Sequence, residues 1–337
     1  MNEFKIFAGI DISKKTFDVA VLSADIPATI KHACFQQNLK GFHQFVDWIT
    51  ADNIRVSEVL FCMEHTGLFI NGLVEFLLSV HANLWIEMPL RIKRTIGLQR
   101  GGDDKVAAIN IAQFAYRYRD TATLWKPLDT AIEQLRNLVA QRDRLILAFN
   151  QLSVPVNELE ACGSFQQTRD LKRIQKFAIT GIEKSLKAVE ARIDEMVAAD
   201  KHITKAIQQV TSVKGVGKQT AIALYVYTKG FSTFENAKQL ACYCGVVPFT
   251  KSSGTSVRYK SQVSPFANKK LKKLLHLCAM SALRFDKGLS EYYKRKTAEG
   301  KNKMSVINAI RNKLLLRIFA VVRDDRNYVE SYIRPCA

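Results

Sequence analysis

Three carboxylates and a group of serines are the residues whose types and placing could do chemistry. Asp11 closes the apolar run Phe4 to Ile10, Glu64 closes the run Val59 to Met63, and Asp104 follows Asp103 after Gly101-Gly102. Acids at the carboxyl ends of strands lie where open α/β sheets place their ligand and catalytic groups. Hard oxygen donors converging from two strands and a helix suit Mg2+. Two such ions can activate the attacking oxygen and stabilise the leaving oxygen of a phosphoryl transfer. Taken singly, the plainer readings are a turn residue at Asp11 and a helix N-cap at Asp103-Asp104. Those readings leave unexplained why all three acids fall at sheet-end positions in one domain. The serines, Ser252, Ser253 and Ser256, surround Gly254 in a polar stretch rich in turn formers. A hydroxyl offered there into a positive field can attack a phosphodiester; a loop that only grips phosphate is the other reading of the stretch by itself.

The elements that must position these groups read as follows. Lys5 to Leu22 has the pattern of a β-hairpin turning at residues 11–15, with a third strand over Thr29 to Phe35. A helix from Leu39 to Ile49, the strand Val59 to Met63, an apolar helix from Gly67 to Val80 and a strand Leu84 to Met88 follow. A helix from Asp104 to Arg117 completes an α/β domain with a mixed sheet. Leu128 to Leu152 forms a long helix, broken at Val154-Pro155 and Cys162-Gly163-Ser164. A second then carries the seam Ile179, Ile182, Leu186, Val189, Ile193 and Met196 at coiled-coil spacing. A hairpin within one chain and a contact between subunits satisfy that seam equally.

Val213 to Ala221 places Gly215 and Gly217 between helices, flanked by Lys214 and Lys218. It reads as a phosphate-gripping helix-hairpin-helix turn, or as a plain glycine connector. From Lys251 to Arg317 basic residues crowd the chain, among them Lys251, Arg258, Lys260, Lys269, Lys270, Lys272 and Lys273, opposed only by Asp286, Glu291 and Glu299. Tyr259, Tyr292 and Tyr293 lie among them, and so lopsided an excess points to nucleic acid. The whole chain agrees: 337 residues carry a net charge of +19, with 47% hydrophobic and 24% charged residues, as in a globular polyanion binder. No apolar run approaches a membrane span, and the amino terminus lacks a secretory pattern. The seven scattered cysteines, without a Cys-x-x-Cys, read as reduced thiols of a cytoplasmic protein rather than a zinc site.

Taken in order, the motifs resemble those of the DEDD transposases of insertion sequences, the Piv/MooV-type recombinases also known as bridge-RNA-guided recombinases. Gly9-Ile-Asp11-Ile-Ser-Lys14 is similar to that family's first acid motif, and Glu64-His-Thr-Gly67 to its Glu-x-Thr-Gly. Asp104-Lys-Val-Ala-Ala108 falls at its Asp-x-x-Asp-Ala; Gly215-Val-Gly217, Gly245-Val-Val-Pro248 and Ser253-Gly-Thr-Ser256 resemble its transposase signature. The resemblance covers nearly the whole chain. It implies an α/β RuvC-like (RNase H-type) amino domain over 1–124, a helical coiled-coil connector over 125–204, and a mainly α-helical C-terminal transposase domain over 205–337. It implies Ser253 as the nucleophile, linked to DNA as phosphoserine, and Mg2+ held by Asp11, Glu64 and Asp104. It also implies a guide (bridge) RNA encoded by the element, donor and target double-stranded DNA, and a homo-oligomer, dimer and tetramer.

One departure stands out: the family's fourth acid falls on Ala107, which cannot bind a metal. Asp103 lies about 100° around the helix from Asp104 and does not replace position 107 cleanly. The expectation is impaired strand cleavage with nucleic-acid binding retained. A RuvC-like nuclease that uses water, and a non-catalytic nucleic-acid-binding protein, are the alternative readings.

Overall fold

Successive residues of the first apolar run point to opposite faces of a strand, and both faces of this run are apolar, so it belongs at the centre of a covered sheet. In a computed structural model it is β1 (Ile6–Ile12), paired antiparallel with β2 (Thr16–Ser23), which pairs antiparallel with β3 (Ile30–Gln36). After α1 (Leu39–Thr50) come β4 (Val59–Glu64), α2 (Asn71–Ser79) and β5 (Asn83–Glu87). The sheet order is β3-β2-β1-β4-β5, with β4 parallel to both β1 and β5. α3 (Pro89–Ile96) and α4 (Asp104–Arg117) complete this part of the chain. The residues described are 4–25, 30–51, 53–65, 67–96, 103–127, 129–249, 252–253, 257–258 and 262–330. By packing they divide into two units, Met1–Pro127 and Leu128–Ala337.

In the first unit, Ile6, Ala8, Ile10, Val59, Phe61 and Met63 face a core shared with α1 and α2. Their neighbours Phe7, Ala20, Leu60, Cys62 and Trp85 face α4. The expected mixed α/β sheet is present. Two details differ from the sequence reading. The segment after Gly67 opens as a 3-10 turn, Gly67–Ile70, before α2. The strand expected to run to Met88 ends at Glu87, and Pro89 is the first residue of α3, where a missing N–H and a fixed φ suit the first helical turn.

The second unit begins with α5 (Thr130–Ala161) and α6 (Phe165–Ala199), antiparallel partners joined by ion pairs Arg142–Glu190 and Lys172–Glu160, each 2.7 Å. The break expected at Val154-Pro155 does not occur. Pro155 costs one backbone hydrogen bond, yet the helix runs through it, with the neighbouring Val156 buried. The chain turns only at 162–164. At the base of this hairpin Ile132, Leu135, Val139, Ile193 and Val197 are buried in the main core of the unit. Toward the far end Phe165, Ile174 and Phe177 are exposed. The rest is α7 (Lys201–Thr211), α8 (Lys218–Tyr227), α9 (Ala237–Tyr243), α10 (Lys269–Phe285), α11 (Lys287–Ala298) and α12 (Lys303–Arg323). α8 is buried from Thr220 through Val226, and α12 buries Ile307, Ile310, Leu314 and Ile318. Between α9 and α10 two short ladders are nested: β6 (Pro248–Phe249) with β9 (Gln262–Val263), and β7 (Ser252–Ser253) with β8 (Val257–Arg258). No described helix is long and apolar enough to cross a membrane.

Candidate active site and nucleic-acid interface

Gly9 decides where α4 lies. A Cβ at this position would stand 2.1 Å from the Ala112 nitrogen and 2.3 Å from the Ala108 oxygen, so the helix backbone rests directly on β1. Two residues along the strand, Asp11 points to the same face. One turn back along α4 from Ala108 stands Asp104, and its charge is felt at Asp11.

The strand register brings further acids to this face. Asp18 on β2 is directly opposite Asp11 on β1. β4 runs parallel, with Met63 beside Ile10, so Glu64 comes next to Asp11; Glu64 in turn pairs with Glu87 on β5. All four belong to the alternation that faces α4, since Phe7, Ala20, Cys62 and Trp85 pack there. The sheet therefore carries a row Asp18, Asp11, Glu64, Glu87 across four adjacent strands, which lie about 4.8 Å apart. The ends of the row are neutralised. Asp18, buried, meets His32 Nε2 at 2.7 Å, and Glu87 accepts from Arg91 at 2.6 Å. No basic side chain pairs with Asp11, Glu64 or Asp104 among the described residues. Burial first, then the charges of Asp104, Glu64 and Asp18, push the Asp11 carboxyl up to about 6, against a hydrogen bond from the backbone at Ile12.

This donor chemistry fits a hard divalent cation. Carboxylate oxygens left unneutralised at the centre of the row repel one another, and a cation between them would relieve the repulsion. Among the described residues no three such side chains are already gathered into a metal-binding group. Asp103 is occupied as the N-cap of α4, its Oδ1 accepting from the Val106 N–H at 2.8 Å. Ala107, half-buried on the same helix, offers no oxygen.

In the second unit Ser253 pairs through its backbone with Val257, and Ser252 with Arg258. The serine stretch is thus a strand hairpin rather than a simple turn; residues 254–256, with Ser256, and Lys251 and Lys260 lie outside the described residues. Lys269 and Lys273 are exposed at the start of α10, and Lys272 is half-buried. Lys270 pairs with Asp143 and stands 5.3 Å from the Tyr227 ring. Lys214 pairs with Glu330 at 2.6 Å and Lys218 with Asp194 at 2.8 Å. Gly215, at φ +91°, packs against Ala282 of α10, where a Cβ would lie 2.7 Å from the alanine. That contact gives the glycine a packing duty, and leaves the lysines beside it in exposed ion pairs that a phosphate can displace at little cost.

The sequence reading missed Asp18 and Glu87. Alternation alone placed each on one of two faces; the hairpin register chose the face and the neighbour.

Two families match successive parts of the chain, the first running past the boundary of the amino-terminal unit into α5. Residues 8–159 match the DEDD transposase family of IS110 elements, and residues 207–294 match the transposase family IS116/IS110/IS902. The pilin gene-inverting protein of Moraxella bovis is 27% identical over 329 residues, 96% of this chain and 98% of that protein. That of Moraxella lacunata gives the same figures. An insertion element IS110 protein of Streptomyces coelicolor is 31% identical over 151 residues, 45% of this chain and 36% of that protein.

Proposed function

We propose that this chain, which carries the domains of an IS110-type DNA transposase or recombinase, cuts and rejoins DNA through a phosphoserine on Ser253, directed by a guide RNA. The observation that carries the reading is the acid row whose ends are neutralised and whose centre is not. Bound at Asp11, Glu64 and Asp104, Mg2+ would supply Lewis-acid stabilisation to the reacting oxygens. Ser253 Oγ gives up its proton, attacks the phosphorus and displaces a deoxyribose oxygen, which leaves as a hydroxyl; the reverse attack rejoins the strand. Covalent retention of the cut end suits a reaction that exchanges strands. Gene inversion is such a reaction, and the relatives alike over their full length are named for it.

The basic excess of the carboxyl half, with Lys251, Arg258, Lys260, Lys269, Lys270, Lys272 and Lys273, supplies the grip on donor and target DNA. Guidance by RNA rests on the resemblance of the ordered motifs. We divide the work among an amino domain over 1–124, a helical connector over 125–204 and a transposase domain over 205–337. The apolar side chains left exposed toward the end of the α5–α6 hairpin support assembly of two or four copies.

Ala107 makes the present chain a poor cutter. A carboxylate three residues after Asp104 shares its helix face, and Asp103, held as an N-cap, does not stand in for it. Ala107→Asp, assayed beside the unaltered chain with RNA, DNA and Mg2+, is expected to raise cleavage by about 10- to 100-fold, the scale of a supporting group at a metal site. Equal cleavage by the two would overturn the assignment of the fourth acid. Failure of the substituted chain to cut at all would favour a protein that binds without catalysis.

A further inference from the structure

We infer that the open cleft between α11 and α12 binds an unpaired nucleotide of single-stranded nucleic acid, with the base against Tyr292 and the phosphate on Lys313 and Arg295. This rests on the reading that the carboxyl unit binds nucleic acid, and assigns one part of it. The cleft has a volume of about 700 Å³, within the range of small-ligand sites. Each helix gives it both kinds of lining: Leu289 and Arg295 from α11, and the exposed Leu316 with Lys313 and Arg317 from α12. Glu291 also lines it.

The three cations are held differently. Arg317 is fixed by the buried Asp286 at 2.5 Å and stands 5.0 Å from the Tyr328 ring. Lys313 and Arg295 have no carboxylate partner among the described residues; they rest 4.8 Å and 5.9 Å from the centre of the Tyr292 ring. A cation held only by a ring face near water loses little on moving to a phosphate. Moving it also uncovers the ring for a base. Apolar side chains interleaved with these cations match a nucleotide, which has an apolar base face and an anionic phosphate. A duplex offers its phosphates without an accessible base face, so it would leave the leucines and the tyrosine unused.

The test measures binding of fluorescein-labelled oligouridylate, oligothymidylate and duplex DNA to the full chain and to Lys313→Ala, Tyr292→Phe and Tyr292→Leu. Tyr292→Leu is expected to weaken single-strand binding by about tenfold or more and Tyr292→Phe to retain it, because stacking needs the ring and not the hydroxyl. Lys313→Ala should weaken it by about fivefold, lower the slope against log salt by about 0.7, and leave duplex binding unchanged. The tighter of the two single strands identifies the source as RNA or DNA. Photocrosslinking of iodouracil-substituted strands gives a readout independent of folding in the variants, and should label the α11 peptide at Tyr292. Single-strand affinity unchanged in Lys313→Ala, with crosslinks only on other elements, would overturn the inference. If duplex binding then falls on Lys269→Glu with Lys273→Glu, the broader reading survives alone; if the unaltered chain binds none of the three probes, both fall.

Discussion

Asp11 shows what a residue can report before any ligand is present. Its carboxyl is raised from 3.8 to about 6 by burial and by Asp104, Glu64 and Asp18. A raised acid favours the folded state while protonated, so its contribution is fully present below about pH 4 and is lost as pH rises through 6. Asp11→Asn should therefore stabilise the metal-free protein at pH 8, by about 1 kcal/mol after allowing for the solvent that reaches a half-exposed group. The gain should vanish in melts at pH 4, and added Mg2+ should raise the melting temperature of the unaltered chain but not of the variant. A variant less stable than the parent at pH 8 would contradict the crowded-acid account. Asp11 and Glu64 stand out in the sequence as acids that end apolar runs, and Asp104 as an acid that opens a helix after two glycines. Asp18 sits within a run, and its place opposite Asp11 depends on a register that residue types do not display. Residue types alone left three serines open, and only motif order singles out Ser253 as the proposed nucleophile.

At the scale of elements, the site depends on how α4 meets β1. The strand and the helix could each be read from their patterns, with the helix bounds recovered at Asp104 and Arg117. Their close approach could not, because it arises from Gly9 lying beneath the backbone of Ala108 and Ala112. Gly9→Ala forces a Cβ into that backbone and should destabilise the amino unit by about 2–3 kcal/mol, as overpacking does. Because the same shift moves Asp104 away from Asp11, Mg2+-dependent stabilisation should be lost even at temperatures where the variant stays folded. Full retention of that stabilisation would show that α4 is not what sets the acids together. Pro155 teaches the opposite lesson: a strong local breaker was overruled by packing, since the hairpin of α5 and α6 continues past it into a buried contact at Val156. The serine ladders were unreadable for another reason, as strands of two residues carry no alternation to detect.

At the scale of the whole molecule, the acid row belongs to the first packed unit and the serine hairpin and basic helices to the second. Neither unit alone carries all the groups of the proposed chemistry. The positive charge, +19 over the chain, points to a polyanionic partner from composition alone, whereas the proposed reaction draws on residues far apart in sequence. The most direct test of the central claim is denaturing electrophoresis of labelled DNA after incubation with the Ala107→Asp chain, guide RNA and Mg2+, with peptide mapping of any protein-bound product. The account predicts DNA covalently attached at Ser253 and no attachment when Ser253→Ala is added. Cut DNA with free ends and no attached protein, or an attachment that survives Ser253→Ala and disappears with Ser256→Ala, would contradict it.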